Sequence, residues 1–96
     1  MAKFLITYDN RPPCNYDALY RLMAAWSAVR IADSVWLASL NADASQVRGF
    51  VVNALQRNDI VAVLELQPGS DWATSCVNAA ANAWLSAHIR PAQIAA

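Results

Sequence analysis

Glycine is scarce in this chain of 96 residues, with Gly49 and Gly69 the only two. Phosphate-cradling glycine loops need several backbone positions without a Cβ, so that class of nucleotide site is excluded. Cysteine is equally thin. Cys14 and Cys76 stand apart with no Cys-x-x-Cys spacing, which argues against a zinc site or a disulfide framework. Lysine, glutamate and histidine occur once each, as Lys3, Glu65 and His88, and no Ser-His-Asp or metalloprotease pattern is present. Long apolar runs are missing too. The first is about six residues and is broken by Tyr8-Asp9, too short for a signal peptide, and nothing approaches membrane-spanning length. The expectation is a cytoplasmic protein with free thiols and no membrane partner.

Neither sign of charge dominates. Seven basic and seven acidic residues cancel, which argues against non-specific duplex binding, whose affinity comes from neutralised phosphates. Apart from Lys3 the basic residues are arginines: Arg11, Arg21, Arg30, Arg48, Arg57 and Arg90. Arginine serves local bidentate phosphate contacts and ordinary ion pairs alike. Hydrophobic residues make up 57 % of the chain and charged ones 15 %, so one packed domain is expected rather than disorder. Four tryptophans (Trp26, Trp36, Trp72, Trp84) are many for this length. Some belong to the core, and a surplus at the surface points to a homo-oligomer.

Lys3 to Tyr8 reads as a central strand, because Phe4, Leu5 and Ile6 are consecutive apolars. Asp9-Asn10-Arg11-Pro12-Pro13 breaks it. Asn15 is the expected N-cap of a first helix from Tyr16 to Ser27, with Asp17 in its first turn. Val29-Arg30-Ile31 and Val35 to Leu40 read as two antiparallel strands around Asp33-Ser34, with one long bent strand as the alternative. Asp43 and Gln46 form a capping-box signature, and Val47, Phe50, Val51, Ala54 and Leu55 give the second helix its apolar stripe. Ile60 to Leu66 is a further strand. A third helix is expected over about residues 71–89, with Val77, Ala80, Ala81 and Trp84 on one side.

The order β-α-β-β-α-β predicts an α+β, ferredoxin-like domain over about residues 3–66, with an additional C-terminal helix. In that topology the sheet order is 4-1-3-2 and both core helices share one face. Asp9, Asp33 and Asp59 then meet at one end of the sheet, with Arg11 and Arg57. Three carboxylates there would suit Mg²⁺ or Mn²⁺, which take hard oxygen ligands, and such a metal activates water at a phosphodiester. An ordinary role competes, since aspartate is favoured in turns for its own backbone hydrogen bonding. Glu65 is expected at the opposite end in a cross-strand ion pair with Lys3. His88 is expected to interact with the C-terminus of its helix. Cys14 sits at a helix start, where thiols gain reactivity, but no base partner is visible.

Phe4-Leu5-Ile6-Thr7-Tyr8-Asp9, followed by a helix, resembles the N-terminal strand of the CRISPR-associated Cas-two proteins, in which a Tyr-Asp pair ends the first strand. Arg30-Ile31-Ala32-Asp33-Ser34-Val35-Trp36 is similar to that family's segment of arginine, two or three residues, serine, valine and an aromatic. The pattern is nearer still to the small SinR-type Cas-two-like proteins, which also end in a tryptophan-bearing helical region; the VapD toxins resemble it more distantly. The resemblance spans about residues 3–66. It implies a ferredoxin-like homodimer in which one aspartate per subunit, here Asp9, holds a Mg or Mn ion for cleavage of RNA or DNA. Arg30 and Ser34 match family positions near the groove between subunits; from their place at the same sheet end, Tyr8, Asp33 and Asp59 are further candidate groove residues, and Arg11 or Arg30 is expected on phosphate. Single-stranded RNA is the expected substrate, in a toxin or antiviral defence setting. Other family members act as non-catalytic adaptors on a protein partner. Neutral charge, and Asn10-Arg11-Pro12-Pro13-Cys14 where many relatives carry a basic run, argue against wrapping duplex DNA.

Overall fold

A computed structural model describes residues 1–9, 16–55 and 60–92. Chain order is β1 (Ala2–Tyr8), α1 (Asp17–Ala25), β2 (Val29–Ala32), β3 (Val35–Leu40), α2 (Ala44–Leu55), β4 (Val61–Leu66) and α3 (Ala79–His88). The strands form one sheet in the order β2-β3-β1-β4, and every neighbouring pair is antiparallel. The chain is thus an α+β domain with a four-stranded sheet and three helices. Residues 29–40 make two strands joined at Asp33-Ser34, not one bent strand.

The period of two along β1 divides the interior. Phe4, Ile6 and Tyr8 point to one face, where they pack with Leu19 and Met23 of α1 and Val47, Val51 and Leu55 of α2. On the other face Leu5, Leu37, Val29, Ile31 and Leu66 meet Ala81, Trp84, Leu85 and Ile89 of the α3 segment. The result is three layers, with α1 and α2 on one side and α3 on the other. Each fully buried large side chain contributes about 1.5–3 kcal/mol.

Local chemistry explains the helix ends. Gln46 N–H donates to Asp43 Oδ1 at 2.8 Å and Asp43 N–H donates to Gln46 Oε1 at 2.9 Å, the reciprocal pair the spacing implies. The cap position of α1 is Tyr16 rather than Asn15, which lies outside the described residues, and no side chain caps it. Asn78 caps α3. Its Oδ1 accepts from Ala81 N–H at 2.8 Å, while its Nδ2 donates to the Arg30 carbonyl at 2.7 Å.

Several expectations are corrected. α3 begins at Ala79 instead of near residue 71. The preceding strap is committed elsewhere: Trp72 Nε1–H donates to the Arg90 carbonyl at 2.8 Å, Gly69 N–H donates to the Ile89 carbonyl at 2.7 Å, and Arg90 pairs with Asp71 at 2.6 Å. Those bonds clasp the strap to the far end of α3, which a helix through residue 72 would forbid. Phe50 leaves the α2 stripe and is 56 % exposed, beside Trp26 at 6.1 Å between ring centroids. Lys3 and Glu65 do not pair. β4 puts Leu66 opposite Lys3 and Glu65 opposite Phe4, so the two charges belong to opposite faces, and Lys3 Nζ donates to Ser39 Oγ at 2.8 Å instead. Of the tryptophans, Trp84 is buried and Trp26, Trp36 and Trp72 pack partly buried against the two cores.

His88 stacks on Trp84 at 4.7 Å between ring centroids. Burial, and secondarily the charge of Lys3, lower its pKa from 6.5, the reverse of what a helix C-terminus alone would do. The unfolded chain therefore takes up a proton at His88 before the folded one does, and stability falls as pH drops below 6.5. Urea titrations at pH 7.5 and 5.0 are expected to show this loss, and His88→Gln to shrink it; an identical loss in the variant would place the sensitivity elsewhere. Asn78→Ala is expected to cost about 1–2 kcal/mol through the lost cap, read from the urea midpoint.

Candidate functional site

Two backbone hydrogen bonds gather one end of the sheet. Tyr8 N–H donates to the Ser34 carbonyl at 3.2 Å, and Asp9 N–H donates to the Ile60 carbonyl at 2.9 Å. The end of β1, the β2–β3 turn and the start of β4 are thereby brought together. Tyr16 Oη–H adds a third tie, donating to the Asp9 carbonyl at 2.9 Å. Asp9 is the next position in the row Lys3, Leu5, Thr7, which belongs to the α3 side of the sheet. Its backbone is held by the ends of two strands and a tyrosine.

Of the other expected site residues, Ser34 occupies the turn with φ 71° and is 9 % exposed, its carbonyl committed to Tyr8. A left-handed serine costs of order 1 kcal/mol, and it lets a very short turn close. Asp33 beside it has a side chain 94 % exposed, 3.9 Å from Arg30 Nη2. Tyr8 is not a surface residue. It is 4 % exposed in the α1–α2 core, and its Oη accepts from Trp36 Nε1–H at 3.1 Å. Arg11 and Asp59 lie outside the described residues, as do Arg57 and Cys14. Among the described residues no three of His, Cys, Asp and Glu come close enough to hold a metal ion. The donors that the end of β1 and the β2–β3 turn bring here, Asp9 and Asp33, are of the hard oxygen kind that Mg²⁺ or Mn²⁺ prefer.

Arg30 has a more defined setting than sequence reasoning assigned to it. Its guanidinium carbon lies 5.3 Å from the ring centroids of both Tyr20 and Trp36. The rings continue inward, with Tyr16 6.2 Å from Tyr20 and 5.3 Å from Tyr8. Tyr20 and Trp36 were not singled out from sequence as site residues. One signal was available: Tyr16 and Tyr20 fall four apart on α1 and so share a helix face. The pairing of Arg30 with Trp36 had no such signal, because it depends on a register shift between Arg30 and Ala32. A regular hairpin closing at Ala32 and Val35 would set Arg30 opposite Leu37, on the α3 side. The bulge turns it to the α1 side instead.

No family model matches this chain, and neither a curated protein nor a solved structure matches it. No described helix is long and apolar enough to cross a membrane.

Burial raises the Tyr8 pKa above 10.0, against a smaller lowering by the Trp36 hydrogen bond. The folded chain therefore keeps that proton after the unfolded chain has lost it, and stability declines as pH rises past 10.0. An ultraviolet titration is expected to resolve one late-ionising tyrosine, absent in Tyr8→Phe. That variant also leaves the Trp36 indole donor without its acceptor, at about 1–3 kcal/mol.

Proposed function

We propose that this chain is a Cas-two-like homodimer acting as a Mg- or Mn-dependent endonuclease on single-stranded RNA, in a toxin or antiviral defence role within the cytoplasm. The reading takes the fold as ferredoxin-like with an additional C-terminal helix, in keeping with the element order and the sheet order β2-β3-β1-β4. The observation that carries it is the placement of Asp9, fixed by its backbone where the end of β1, the turn at Ser34 and the start of β4 converge. A carboxylate on a rigid strand end is what a metal-assisted hydrolysis requires. Asp9 from each of two chains would hold the metal, which supplies a Lewis acid and an activated water. Arg30, turned to the α1 side of the sheet, would bind phosphate.

Asp9→Asn is expected to lower cleavage of single-stranded RNA in Mn²⁺ by more than roughly 100-fold, since even groups behind a metal ligand account for about 10–100-fold. Cleavage that persists unchanged ends the nuclease reading. Sedimentation should give twice the 10.5 kDa chain mass; a monomer at all concentrations would remove the shared metal site with it.

A second reading has its own observation. β4 is an outer strand of the sheet, and Ile60 and Leu64 beside and within it are 71 % and 52 % exposed. Apolar edge strands pair readily with other chains, which favours a non-catalytic adaptor module binding a protein partner. No Mn²⁺ affinity at millimolar concentration, together with a stable protein complex on pull-down, would select it.

A further inference from the structure

Arg30 is held in an unusual way for a partly exposed arginine. Its side chain is 40 % exposed, yet its Nε is buried and has no hydrogen-bond partner. The two rings beneath it, Tyr20 and Trp36, lie 6.2 Å apart and are tilted by 44°. A guanidinium stacked on two aromatic faces loses its freedom to swing, so its remaining donors form a fixed fork. The carboxylate within reach is Asp33 at 3.9 Å, too far for a hydrogen bond and itself 94 % exposed. Tyr20 is 39 % exposed on the outer side of this stack. A fixed cationic fork beside an accessible aromatic ring is the pairing that accepts a phosphate and an unpaired base together.

We infer that Tyr20, Arg30 and Trp36 form a seat for one nucleotide of a single-stranded nucleic acid. Arg30 binds the phosphate, the Tyr20 ring stacks the base, Trp36 supports the guanidinium from below, and Asp33 stands nearby as a negative charge that a bound phosphate must tolerate. This rests on the nucleic-acid part of the proposed function, but not on the metal or on Asp9. A single strand is favoured over a duplex for two reasons. Stacked base pairs offer no free face to Tyr20, and a chain of zero net charge lacks the phosphate-neutralising surface that duplex affinity needs.

The test is fluorescence anisotropy with a short labelled oligouridylate, its deoxy counterpart and a blunt duplex, all in EDTA so that no cleavage intervenes. Both single strands are expected to bind, with the duplex much weaker and a shallow salt slope of about −0.7, one phosphate's worth. Arg30→Lys keeps the charge but loses the fork, and Tyr20→Leu loses the ring; each is expected to weaken binding about tenfold. Asp33→Asn is expected to tighten it by about two- to threefold, a gain that misfolding cannot produce. Absence of single-strand binding, equal binding of the duplex, or wild-type affinity in both Arg30→Lys and Tyr20→Leu would overturn the seat. Binding in EDTA without cleavage in Mn²⁺ supports the seat and removes the nuclease reading alone.

Discussion

β1 is the strand on which the other elements depend. It is hydrogen-bonded along both edges, to β3 and to β4, and its side chains feed both cores. Phe4 and Ile6 are fully enclosed between the sheet and the α1–α2 layer, while Leu5 packs toward α3. A one-residue slip would exchange these faces and send Lys3 into the α1–α2 core, a charge burial with no partner there. Register is therefore strongly specified. The position of Asp9 follows from it, because the same ladder that seats Phe4 carries the strand end to Ile60.

The β2–β3 hairpin adds the second constraint. One irregularity between Arg30 and Ala32 lets Val29 and Ile31 both serve the α3-side core while Arg30 crosses to the aromatic side. The tyrosines of α1 and the indole of Trp36 then meet a guanidinium that a regular ladder would have sent to the opposite face. Tyr8 links the two halves of the site, with its backbone tied to Ser34 and its hydroxyl to Trp36.

Much of the strand and helix content was legible from residue pattern. Consecutive apolars marked β1 and β4, the Asp43–Gln46 pair marked the start of α2, and the 47, 51, 55 spacing marked its buried side. What could not be read depended on contacts distant in sequence. The strap before α3 avoids helix because Trp72 and Asp71 bond to Arg90, and local propensity carries no trace of that. Phe50 fits the period of the stripe but sits at its margin, with Trp26 at the end of α1 beside its exposed ring. Glu65 and Lys3 were matched by charge, whereas pairing obeys register, which separates them by one residue and hence by a whole face. At the site, Asp9 was visible as a polar residue ending an apolar strand. The Arg30 setting was not, since a bulge has no signature in this stretch.

Asn78 holds the start of the third helix with one side-chain atom and the Arg30 main chain with another. The C-terminal segment and the hairpin therefore share a single amide as a hinge pin. Any free energy that the Asn78 amide adds to the helix start is thereby linked to the position of the strand carrying Arg30, beside the packing of Val29 and Ile31 on the same core. Reciprocity of this kind is a thermodynamic obligation rather than a design choice.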